Sequence, residues 1–97
     1  MTIRICIAGV TGWVGSALTK AVHQSRDMVL VGAVSRSEQG KTVQEVLGLD
    51  GADTVIAGSV NEALTVGCDV MVEFTKPDAA KQNILHALDS GVHVVVG

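Results

Sequence analysis

The sequence predicts an α/β fold built on a doubly wound parallel sheet. Three observations lead to it. Apolar runs alternate with segments of helical periodicity along all 97 residues. The runs are rich in Val, Ile and Leu and mostly continuous, as strands buried on both faces are. The first run, Ile3 to Ala8, passes into Gly9-Val10-Thr11-Gly12-Trp13-Val14-Gly15, a Gly-x-x-Gly-x-x-Gly turn between a strand and a helix.

Ile3 to Ala8 reads as the central strand, with Arg4 near its entry end. The glycines after it have separate uses in a phosphate-binding turn. One turns the chain off the strand, one lets the backbone approach a pyrophosphate, and one lets the helix pack against the strand. The helix N-terminus presents unpaired N–H groups to the anion. Trp13 to about Ser25 reads as that helix, with Val14, Ala17, Leu18, Ala21 and Val22 as its apolar face. Ser16, Thr19, Lys20, His23 and Gln24 then take the solvent side.

Met28 to Val34 is the second strand and ends in Ser35-Arg36. At this strand tip an acid accepts hydrogen bonds from a ribose 2′-hydroxyl, whereas an arginine beside a small polar residue accommodates a 2′-phosphate. Ser35 and Arg36 therefore favour NADP(H), with NAD(H) also possible. Thr42-x-x-Glu45 is a capping box before a short helix stopped by Gly48. Thr54 to Ala57 is a short third strand. Ser59-x-x-Glu62 opens another helix, which Gly67 ends. Asp69 to Phe74 is the fourth strand, followed by Thr75-Lys76-Pro77. A helix from about Pro77 to Ser90, with His86 on its surface, leads to a fifth strand from Val92 to Val96. His93 falls at the strand end away from any ligand.

This alternation gives a five-stranded sheet of the Rossmann type, order 3-2-1-4-5. Gly9, Ser35-Arg36, Phe74-Thr75 and Gly97 then all fall at carboxyl ends of strands, along one edge. No catalytic residue can be assembled there: no His or Cys lies at that edge, and Glu73 is its only carboxylate.

Composition sets outer bounds. An apolar fraction of 47% and a charged fraction of 18% suit a packed core. A net charge of −3 gives no basic footprint for nucleic acid. No apolar run approaches the roughly 20 residues of a membrane span, and the N-terminus lacks a signal pattern. Cys6 and Cys68 form no C-x-x-C pair, and no histidine stands at metal spacing, so no metal site is expected and both thiols read as reduced small hydrophobes. A cytoplasmic location is the matching expectation.

The segments Ile3-Arg4-Ile5-Cys6-Ile7-Ala8-Gly9-Val10-Thr11-Gly12-Trp13-Val14-Gly15, Leu30 to Arg36, Val72-Glu73-Phe74-Thr75-Lys76-Pro77 and Gly91 to Gly97 resemble the 4-hydroxy-tetrahydrodipicolinate reductase family, formerly dihydrodipicolinate reductase. The Phe-Thr-x-Pro element is the more specific of these signals. The resemblance spans Ile3 to Gly97. It implies an enzyme that uses NADH or NADPH to reduce a cyclic imine in lysine (diaminopimelate) biosynthesis. Gly9, Val10, Thr11, Gly12, Trp13 and Val14 would hold the pyrophosphate, and Ser35 and Arg36 would meet the adenosine ribose. Phe74 and Thr75 would line the nicotinamide side, and Gly97 would begin a turn touching it. The family's catalytic His and Lys lie in a C-terminal substrate domain, which also builds a homotetramer. Residues 1–97 would then be the dinucleotide-binding domain alone, a fragment that binds NADP(H) weakly and lacks reductase activity. Where the family usually carries Arg-Met in the glycine turn, this chain has Trp13-Val14; where it often carries an acid, this chain has Ser35. The glycine turn also resembles that of semialdehyde dehydrogenases and acyl-phosphate reductases, which is one alternative. A non-enzymatic NADP-sensing module is another, and a bare α/β scaffold a third.

Overall fold

In chain order the elements are β1 (Ile3–Ala8), α1 (Trp13–Gln24), β2 (Met28–Val34), α2 (Val43–Leu47), β3 (Ile56–Ala57), α3 (Val60–Ala63) with a 3₁₀ turn over Leu64–Val66, β4 (Val70–Glu73), α4 (Pro77–Asp89) and β5 (His93–Val96). The computed structural model describes residues 2–75 and 77–97. Lys76, part of the Phe-Thr-x-Pro stretch, lies outside the described residues. All sheet pairings are parallel and the strand order is β3-β2-β1-β4-β5, the expected Rossmann-type order.

Alternate residues of β1 feed two cores. Ile5 and Ile7 point to one face, where they meet Val10, Val22, Ala33, Val43 and Ile56 under α1 and α2. Cys6 and Ala8 point to the other, with Val34, Val60, Ala63, Met71, Ala87 and Val92 under α3 and α4. A buried aliphatic side chain of this size contributes about 1.5–3 kcal/mol. With so few aromatics, the fold rests on many such residues packed on both faces of one sheet.

Two elements differ from the sequence reading. Thr19 is fully buried rather than solvated, on a face with Gly15, Leu18 and Val22, while Ala17 and Ala21 are exposed and Val14 is 52% exposed. The cause is Gly15, which is the point where α1 closes on the strand turn. Thr19 lies one helical turn further on that face, and its hydroxyl donates to the Gly15 carbonyl at 2.7 Å. A polar residue is tolerated there because its hydrogen bond is made inside the helix. The third strand is also shorter than the expected Thr54–Ala57. Thr42 and Val55 form an antiparallel bridge. The Val43 amide donates to the Thr54 carbonyl and the Ile56 amide to the Lys41 carbonyl, so this backbone is paired outside the parallel sheet.

Both arms of the Thr42–Glu45 capping box are formed. At α3 the Ser59 hydroxyl accepts from the Glu62 amide at 3.3 Å. At the sheet's entry end, the Arg4 amide donates to Asp69 Oδ2 at 2.8 Å and its guanidinium to the Val66 carbonyl at 2.9 Å. Among the described residues, no helix is long and apolar enough to cross a membrane, and no group of three His, Cys, Asp or Glu could hold a metal ion.

Candidate functional site

The sheet register sets Ala8 level with Val34 and Glu73, and Glu73 level with Val96. The chain therefore leaves β1, β2, β4 and β5 along a single rim. The turn after β1 is wound around one carbonyl. Gly9 has φ of +88°, where an L side chain is strained, and a Cβ there would stand 2.8 Å from the Phe74 carbonyl oxygen. The Gly12 amide donates to the Gly9 carbonyl at 3.1 Å. A Cβ on Gly15 would overlap that same carbonyl oxygen. The Gly9 and Val10 amides both donate to Val34, at 3.0 and 3.1 Å, which fastens the turn to β2.

Helix α1 starts from Gly12, which offers no side-chain cap, and its first turn carries no acid. The amides of that turn and the positive end of the helix dipole face the rim, and no acid of the turn itself compensates them.

Three hydroxyls line up beside the turn. Thr11 Oγ1 and Ser35 Oγ share a hydrogen bond of 3.2 Å, and Ser35 Oγ and Ser37 Oγ share one of 3.3 Å. Ser35 is buried, whereas Arg36 is exposed and has no carboxylate partner among the described residues.

On the opposite side, the buried Glu73 carboxylate accepts from the Thr75 amide at 2.7 Å and from the Thr75 hydroxyl, while Asn83 of α4 donates to Thr75 Oγ1 at 3.3 Å. The Gly97 amide donates to the Glu73 carbonyl at 3.0 Å, and a side chain on Gly97 would collide with the Phe74 ring.

These pieces enclose a cleft of about 590 Å³, a size usual for small-molecule sites. Of the residues expected at a cofactor, Gly9, Thr11, Gly12, Ser35, Arg36, Phe74 and Thr75 line it. Val10 does not: its side chain is fully buried in the core and its amide is used on Val34. Trp13, 96% exposed, Val14 and Gly97 are also outside the lining. In the sequence reading Ser37 and Asn61 on the β2 and β3 side and Gln82 and Asn83 on α4 carry no expected role, and Ser59 and His86 only a capping and a surface role, yet all six line the cleft. His86 is exposed, as expected, but on the cleft wall. The available signal was position: these residues start the segment after β2, start the helix after β3, or share one face of the helix after β4. A smaller hollow of about 390 Å³ beside β3, where Glu62 is the only ionisable group among the described residues, lies away from the glycine turn.

A family model described as "Dihydrodipicolinate reductase, N-terminus" matches residues 3–97. The 4-hydroxy-tetrahydrodipicolinate reductase of Thermosynechococcus vestitus is 37% identical over 98% of this chain and 36% of its own length. That of Symbiobacterium thermophilum is 35% identical over 98% of this chain and 39% of its own length. This chain thus spans little more than a third of those relatives. Among solved structures, the dipicolinate-bound dihydrodipicolinate reductase of Paenisporosarcina sp. TG-14 superposes with a TM-score of 0.81 at 22% identity, covering all of this chain and 37% of the other. The aspartate semialdehyde dehydrogenase of Candida albicans, solved with NADP, gives 0.83 at 18% identity, covering all of this chain and 30% of the other. At such identities these two likenesses speak for the fold.

Proposed function

Because the chain belongs to the dihydrodipicolinate reductase family, as its N-terminal domain, we propose that it binds a nicotinamide dinucleotide, NADP(H) in preference to NAD(H), for a reductase that acts on a cyclic dipicolinate-type imine in lysine biosynthesis. One observation carries this reading: the uncapped N-terminus of α1, the Thr11–Ser35–Ser37 hydroxyls and Arg36 converge on one cleft. The residues present fit the cofactor. Gly12 lines the cleft and has no Cβ to stand in the way of a pyrophosphate, and the first turn of α1 carries no acid beside its amide donors. Arg36 is a cation free of acidic partners among the described residues, next to a buried serine in place of an acid.

In this reading Gly9 and Gly12 shape the cleft wall beneath the pyrophosphate, which the Thr11 hydroxyl and the first-turn amides of α1 hold. Ser35, Arg36 and Ser37 surround the ribose 2′-phosphate. Phe74 and Thr75 bound the nicotinamide end, and Gly97 keeps the Phe74 ring in place. When bound, the reduced nicotinamide supplies a hydride. This chain's own residues orient it and exclude water from one side. Proton supply and substrate binding belong to a further domain that the relatives' length allows for, so residues 1–97 by themselves bind cofactor and do not turn over substrate. The whole enzyme acts in the cytoplasm as a homotetramer.

Calorimetric titration with NADPH and NADH tests the reading. NADPH binds more tightly, and Arg36→Ala lowers its affinity to about that of NADH, a change of roughly 1–3 kcal/mol as for charge-assisted phosphate contacts. Equal affinities in the wild type, or an Arg36→Ala protein unchanged toward NADPH, would remove the assignment of Arg36.

A further inference from the structure

Glu73 is 1% exposed and nothing proposed so far uses it. Its Oε1 accepts both the amide and the hydroxyl of Thr75, and its Oε2 is buried with no partner among the described residues. A buried acceptor left unsatisfied destabilises a fold, so this carboxylate is not explained by packing.

Its consequence lies two bonds away. Oε1 acts toward residue 75 as an acceptor, taking the amide and the hydroxyl together. With its hydrogen spent on Glu73, the Thr75 hydroxyl oxygen can only accept from the other side. Asn83 meets that oxygen with its Nδ2, at 3.3 Å. The reverse amide orientation would set the Asn83 carbonyl against a lone pair of Thr75. Asn83 is half-buried and lines the cleft, and its Oδ1 has no partner among the described residues.

Resting on the cofactor reading above, we infer that Glu73 is a positioning residue. By accepting the Thr75 hydroxyl it fixes the polarity of a Glu73–Thr75–Asn83 chain. The Asn83 carbonyl oxygen is thereby presented to the cleft as acceptor for an exocyclic N–H of the dinucleotide. Two groups of the ligand carry that chemistry, the adenine amino group and the nicotinamide carboxamide.

The test compares NADP with its hypoxanthine analogue, which lacks the amino group, and its acetylpyridine analogue, which lacks the amide N–H. Dissociation constants and melting temperatures are measured for the wild type, Glu73→Met, Thr75→Val and Glu73→Gln. The wild type is expected to bind one analogue about tenfold more weakly than NADP, which also identifies the group contacted. Glu73→Met and Thr75→Val free the Asn83 amide to turn over, and the discrimination shrinks to within about twofold. Glu73→Gln keeps an oxygen where Thr75 donates, and the discrimination returns. A merely structural carboxylate would move melting temperatures and leave the ratio alone. If Glu73→Met does not fold, Thr75→Val decides, since it leaves Glu73 and its bond to the residue 75 amide in place. A ratio unchanged in Thr75→Val, or a wild type that binds NADP and both analogues alike, overturns the inference and leaves the cofactor reading standing. A wild type that binds none of the three overturns both.

Discussion

Gly15 and the Gly9 carbonyl oxygen stand so close that a Cβ on Gly15 would occupy the oxygen's place. The contact is between two backbones, so no rotamer change can relieve it. It ties the start of α1 to the end of β1 and sets how near the helix N-terminus comes to the rim. Gly15→Ala is therefore expected to destabilise the protein by about 2–3 kcal/mol, the upper range for overpacking a tight site. Urea unfolding followed by circular dichroism would show a lower midpoint with an unchanged slope. A wild-type midpoint would mean that α1 can sit further from Gly9 than the structure has it.

Ser35→Asp places a carboxylate where the sequence conspicuously lacks one, beside the Thr11 hydroxyl. A charge about 4 Å from a phosphate in a half-solvated cleft opposes it by a few kcal/mol before screening. NADPH affinity should fall by about tenfold to a hundredfold, and NADH affinity should hold or rise. The NADPH-to-NADH ratio from calorimetry checks this, and a parallel loss of both cofactors would point to damage to the turn instead.

The order of strands, the glycine turn and the Ser35-Arg36 tip were legible because each depends on short-range pattern. A continuous Val/Ile run, a glycine at a fixed offset and a charge after a strand are visible without the fold. Thr19 was not legible. Periodicity placed Val14, Ala17 and Ala21 inside because they are apolar. The rotation of α1 is set instead by Gly15, whose small size matters only once Gly9 is known to lie against it. Asn83 and His86 escaped for a related reason. They read as an ordinary polar helix face, and only the crossover of α4 beside β4 turns that face to the cleft.

Cys6 gives a pH dependence. Its thiol is pushed far above the ordinary range by its contact with Cys68 and by burial in the α3–α4 core. In the unfolded chain a cysteine ionises near pH 8.5. Above that pH the unfolded state has released a proton that the native state keeps. The unfolded state then binds fewer protons, and stability falls as pH rises, by up to about 1.4 kcal/mol per pH unit. Below pH 8 this contribution is intact and flat. Urea midpoints between pH 7 and 10 should decline above about 8.5 in the wild type and less steeply in Cys6→Ala. Mass-spectrometric footprinting with iodoacetamide should label Cys68, which is half-exposed, well before Cys6. Equal labelling of both thiols in folded protein would contradict the buried assignment.

Trp13 stands at the first position of α1 and is 96% exposed. So exposed a ring contributes little packing, and Trp13→Arg can be read almost purely as an added charge. Without ligand, a cation at a helix N-terminus opposes the dipole and should cost about 0.3–1 kcal/mol of stability. With a pyrophosphate at the same terminus, the added cation is attracted to it, and dinucleotide affinity should rise about threefold to tenfold at low ionic strength. The two effects have opposite signs, so a lower melting temperature in free protein should accompany tighter binding. Exposed charges are screened within about 3 Å in 1 M salt, and the gain should vanish there. An affinity gain that survives 1 M salt would have to come from contacts other than charge. No gain at any ionic strength would place the phosphates away from the α1 N-terminus.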